Sequence, residues 1–143
     1  MKFGEINGPL YGISPLRIGS EMHVTGSIVT TEHFAGEVQS ITASGTDISN
    51  ITHMTLLTSV TGEYTANLSD GLHVGQIKHI LVGDVTNAMV APMITITANT
   101  VRPVMGNTWT SLDFDPGDAA MLVWTSTGWS ILGHYGVTVN YPM

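Results

Sequence analysis

The stretch "WTSTGWSILG", residues 124–133, decides how this chain is read. It places two of three tryptophans on either side of a Thr-Ser-Thr-Gly segment. With "AAMLVW" (119–124) before it and "WSIL" (129–132) closing it, the pattern is two strands joined at Ser126-Thr127-Gly128. Gly128 can supply the positive φ that a bulged hairpin turn requires. Trp124 and Trp129 then either meet on one face or point to opposite faces, and a one-residue slip in register exchanges the two outcomes. Three roles follow for so much aromatic surface: a lectin-like binding hairpin, a wall of an active site, or the packing edge of an all-β building block.

Outward from that hairpin the chain continues as short strands between Gly, Asn, Asp and Ser. "YTANL" (64–68) alternates Tyr64, Ala66 and Leu68 against Thr65 and Asn67. "MITITA" (93–98) sets Met93, Thr95 and Thr97 opposite Ile94, Ile96 and Ala98, and "MHVTGSIV" (22–29), "MTLLTSV" (54–60) and "WTSLDF" (109–114) complete the series. "GQIKHILVG" (75–83) is too β-branched for a helix, and no sustained 3.6-residue stripe exists. In the turn-rich segment 40–53, Ile41, Ile48 and Ile51 are expected as isolated core plugs. Regular strand spacing predicts an all-β domain over residues 21–143, an antiparallel β-sandwich or a jelly-roll or barrel-like fold.

Residues 1–20 differ from the rest. Phe3, Leu10, Tyr11, Leu16 and Ile18 are spread among glycines and around Pro9 and Pro15, which suits an extended amino-terminal arm. No continuous apolar h-region marks a signal peptide. The arm carries enough apolar side chain to dock on a neighbouring subunit, so those five residues are its expected contacts.

Composition narrows the function. Of 143 residues only 10% are charged, against about 25% in ordinary soluble domains, and mean hydropathy is +0.23. Four Lys and Arg against eleven Asp and Glu give a net charge of −7, which argues against nucleic acid and anionic membranes as partners. No cysteine is present, so disulfides and thiolate metal sites are excluded. Sparse charge points to surface buried against other chains.

Motifs for chemistry are weak. His23, His33, His53, His73, His79 and His134 form no HxH or HxxxH pair, so no metal is expected, although one His per chain could suffice at a symmetry axis. "DFDPGD" (113–118) departs from an EF-hand loop and reads as a Pro-Gly turn in which Asp115 and Asp118 bond local amides. No nucleophile elbow or phosphate loop appears, and the chain is not expected to be an enzyme or to bind a cofactor.

"LSDGLHVGQIKHILV" (68–82) followed by "NTWTSLDFDPGDAAMLVWTSTGWSILGHYGVTV" (107–139) resembles a recurrent module of phage and large-virus structural proteins. The matching positions are Leu68, Gly75, Gln76, Lys78, Ile80, Leu112, Phe114, Gly117, Asp118, Leu122, Trp124, Gly128, Trp129, Gly133 and Val137. The resemblance covers about residues 68–139, interrupted by the insert-like "NAMVAPMITITANTVRPVMGN" (87–107). It implies an oligomeric, usually trimeric, β-rich domain at the virion surface. Such a domain is a capsid decoration or cement protein whose partners are its own copies and the major capsid protein, or part of a head or tail fibre. In the first case Trp109, Trp124, Trp129 and Tyr135 serve packing; in the second they could stack on sugar rings.

Overall fold

A computed structural model describes residues 36–42, 46–58, 63–83, 94–101 and 108–143. The predicted arm, with Phe3, Leu10, Tyr11, Leu16 and Ile18, and the predicted strand at 22–29 lie outside the described residues. Within them are nine strands and no helix: β1 (Val38–Ile41), β2 (Met54–Leu57), β3 (Tyr64–Leu68), β4 (Ile77–Val82), β5 (Ile94–Ala98), β6 (Ser111–Phe114), β7 (Ala119–Thr125), β8 (Gly128–Tyr135) and β9 (Thr138–Asn140). They form a five-stranded sheet, ordered β1-β2-β4-β7-β8, and a four-stranded sheet, ordered β3-β5-β6-β9. The sheets pack together over one core.

The all-β expectation holds, but the sheets are mixed rather than antiparallel. β1, β2 and β4 run parallel in one sheet and β3 and β5 run parallel in the other. The cause is the path of the chain, which crosses to the opposite sheet after each strand instead of turning back beside it. From β1 it passes to Ile48, bridged to Leu68 of the second sheet, then returns to β2 and alternates through β3, β4 and β5. This half is a short coil of the solenoid kind, in which each turn stacks on its neighbour. Its registers, Val38↔Met54↔His79 in one sheet and Ile48↔Leu68↔Ala98 in the other, advance in unequal steps. From β6 onward the added strands are antiparallel to their neighbours.

Alternation explains the core. Tyr64, Ala66 and Leu68 of β3, Ile94 and Ile96 of β5 and Leu112 and Phe114 of β6 point inward. They meet Leu57, Ile80, Val82, Ala120 and Leu122 from the five-stranded sheet, with Trp109 and Trp129 fully enclosed. Each large apolar side chain so buried contributes roughly 1.5–3 kcal/mol relative to exposure.

Ile41 and Ile48 are core residues, whereas Ile51 is 67% exposed and is no plug. The inward position in that loop belongs to Thr52, because the ammonium of Lys78 is buried nearby and needs oxygen partners. Lys78 Nζ donates to the Thr52 carbonyl at 3.0 Å and to its hydroxyl at 2.7 Å.

Candidate functional site

The two outer faces of the sandwich have opposite chemistry. On the four-stranded sheet, β3 turns out Thr65 and Asn67 and β5 turns out Thr95 and Thr97. β6 adds Ser111 and Asp113, and β9 adds Thr138 and Asn140. These groups bond one another: Thr95 donates to Asp113 at 2.8 Å, Asn140 donates to Asp113 at 2.6 Å and to Ser111 at 3.0 Å. Asn67 binds along the coil, its amide N–H donating to the Asp47 carboxylate and its side chain to Asn99. A polar face tied together in this way is suited to water.

The five-stranded sheet is largely apolar on its outer face as well. Register places Val38, Met54, His79, Met121 and Gly133 in one row across all five strands. The next row runs Ser40, Leu56, Leu81, Ala119 and Tyr135. Ile77, Val123 and Ser130 make a third, shorter row. No Asp, Glu, Lys or Arg stands at any of these positions. Between Met54, His79, Leu81, Met121 and Tyr135 the face dips into a shallow depression of about 330 Å³.

His79 lies in the middle of this face, on the central strand β4, and its ring centroid is 4.8 Å from that of His53. Burial and, second, the neighbouring His53 hold its pKa below the ordinary histidine value. Apolar and Thr-rich surface, which composition alone groups together, is therefore divided between two sides of the molecule.

The aromatics singled out in the sequence are dispersed. Trp109 and Trp129 have no exposed surface, and a ring so enclosed offers no face to a sugar. Trp124 is half-buried against the core beside Trp129, and Tyr135 is exposed at the end of β8. Gly71 backs the Trp124 ring so closely that a Cβ there would fall 2.4 Å from Trp124 Cγ. Asn50 pins both ends of the loop that brings Gly71 in: its Nδ2 donates to the Asp70 carbonyl, and its own carbonyl accepts from Gln76 Nε2.

Elsewhere the chemistry is structural. In "DFDPGD" the Asp118 carboxylate accepts from the Asp115 amide at 2.8 Å, with Gly117 at φ 89° completing the turn. Asp113 is committed to Thr95 and Asn140 on the polar face. Among the described residues no three His, Asp or Glu side chains gather where they could hold a metal ion. Spacing alone gives no surface role to Val38, Met54, His79 or Met121, although a signal is present: "AAMLVW" is apolar on both parities and so, apart from Lys78 and His79, is "IKHILV", as strands buried on both faces are. The sequence matches no family model and no curated protein.

Proposed function

We propose that the chain is a virion structural protein that works as a homotrimer, a capsid decoration protein seated on the shell and holding neighbouring major capsid subunits together. The observation that carries this reading is the uncharged, apolar outer face of the five-stranded sheet beside the hydrogen-bonded polar face of the other. Such a face is expected to be covered by protein. A building block of this kind adds interface area and needs no reacting groups, and the arm at residues 1–20 supplies apolar anchors for the shell.

The parallel coil from β1 to β5 favours a second reading, a receptor- or carbohydrate-binding domain of a head or tail fibre, since stacked coils extend along one direction. The two are separated by mixing the purified full chain with empty shells of the virus that encodes it. Decoration predicts saturable binding in trimer-sized units. A trimer that ignores the shells but binds cell-surface glycans overturns decoration in favour of the fibre.

A further inference from the structure

We infer that the outer face of the five-stranded sheet is the trimer interface itself, with β4 running along the three-fold axis and His79 forming a layer of three rings on it. This inference rests on the trimeric reading above and goes beyond it by naming the surface and the residues.

Three features single out further copies of this chain as the occupant. First, charge: the chain carries a net −7, so copies associate most easily through a surface without carboxylates. The described carboxylates Asp47, Asp70, Asp113, Asp115 and Asp118 belong to loops, turns or the other sheet, and Glu37 and Glu63 precede strands; none occupies an outward position of this sheet.

Second, width. Five strands leave four gaps of about 4.8 Å, a sheet about 19 Å across, and three such sheets closed into a triangular prism would each stand about 5.5 Å from the axis. Packed sheets lie about 10 Å apart, so each fills about 5 Å with its side chains, and the prism closes without a void. A much wider sheet would leave a channel, and a much narrower one would not admit the side chains.

Third, position. β4 is third of five strands, so its outward residues lie on the midline, where each side of a triangular prism comes nearest the axis. Those residues are Ile77, His79 and Leu81, giving three layers about 6.6 Å apart along the axis. Apolar layers then enclose the histidine layer, with Met54 and Met121 beside each ring. With about 20 Å of strand length the flat footprint is roughly 400 Å² per copy, about half of the roughly 800 Å² that each partner gives to a standard specific interface, before side-chain relief is added.

The absence of cysteine permits a clean test. His79→Cys and Thr65→Cys are made separately in the full chain and treated with a short bismaleimide linker. On the axis, His79→Cys gives covalent dimers that take up about two-thirds of the chains, since the third copy has no partner left; Thr65→Cys, on the polar face, stays unlinked. Leu81→Glu places three carboxylates in one layer and is expected to sediment as a monomer with an unchanged β-sheet circular dichroism spectrum. Linkage at Thr65 in place of position 79, or a Leu81→Glu protein that remains trimeric, overturns the axial face. Complete linkage of a dimeric His79→Cys protein overturns the three-fold arrangement. A wild-type chain that sediments as a monomer overturns the trimeric reading on which the inference rests, and so is distinguishable from an error in the face alone.

Discussion

Trp124 and Trp129 stand directly opposite each other across the β7–β8 hairpin, their ring centroids 5.4 Å apart and their planes at 63°. The two-residue turn Ser126-Thr127 and Gly128 at φ 132° set that register, and the Thr125 hydroxyl holds it by donating to the Gly128 carbonyl at 2.7 Å. Both rings therefore share the inner face. Farther along, Leu132 is the extra residue of a bulge between the pairs Leu122↔Ile131 and Met121↔Gly133. The bulge re-aims the strand, so that Gly133 and Tyr135 face outward beside Met121 and Ala119.

The two enclosed tryptophans differ in their polar ends. Trp129 Nε1 donates to the Ser69 carbonyl at 2.9 Å, whereas Trp109 Nε1 has no partner among the described residues. Trp129→Phe strands a carbonyl as well as losing ring volume; Trp109→Phe removes an unsatisfied donor. Trp129→Phe should therefore cost about 1–3 kcal/mol more in denaturant unfolding than Trp109→Phe. Equal losses would contradict the assignment of these bonds.

How much of this was legible follows from what each feature depends on. The alternation in "YTANL" is local, and the structure buries Tyr64, Ala66 and Leu68 as it predicts. The positive φ at Gly128 was equally local. Parallel pairing was not, because Val38, Met54 and His79 are related through crossings of unequal length, which erases any sequence repeat. Ile51 was misplaced for another non-local reason: the inward place in its loop is fixed by Lys78, on a different strand. The apolar outer face was written in "IKHILV" and "AAMLVW", yet which parity faced outward required the register.

Lys78 gives a pH signature. Burial lowers its pKa to about 8 from the ordinary 10.5. Between those values the unfolded chain binds more protons than the folded one, so stability should rise as pH increases from about 8 to about 10.5. Lys78→Met should flatten that limb in thermal unfolding across the range. A slope that persists in Lys78→Met would assign it to another group.

His79 should act at the acid end. Its pKa is depressed, so the folded chain resists a proton that the unfolded chain accepts, and stability falls as pH drops from about 6.5 through the folded value. His53 lies against it, and His134 and Tyr135 line the same depression, with neutral Met54 and Met121 on the flanking strands. In the proposed trimer three charged rings would also repel around the axis, so acidification should dissociate copies before it unfolds them. His79→Leu should keep the assembly intact to lower pH, measured by sedimentation at matched concentrations. Unaltered acid dissociation in that variant would remove His79 from the interface.

Deleting residues 1–20 tests the proposed clamp. The truncated chain is expected to keep its fold and its trimer while shell binding weakens at least about tenfold, equivalent to about 1.4 kcal/mol. Leu10→Ala with Tyr11→Ala should reproduce most of that loss in a binding isotherm. Undiminished binding by the truncated trimer would exclude an arm-based clamp, and failure to trimerise would place the arm within the trimer.

Sedimentation equilibrium of the unmodified full chain at micromolar concentration distinguishes a trimer from a lone chain. One species at three times the 15.2 kDa chain mass is expected, with an apparent melting temperature that rises with protein concentration. A stable species at the mass of one chain, with a melting temperature independent of concentration, would contradict it.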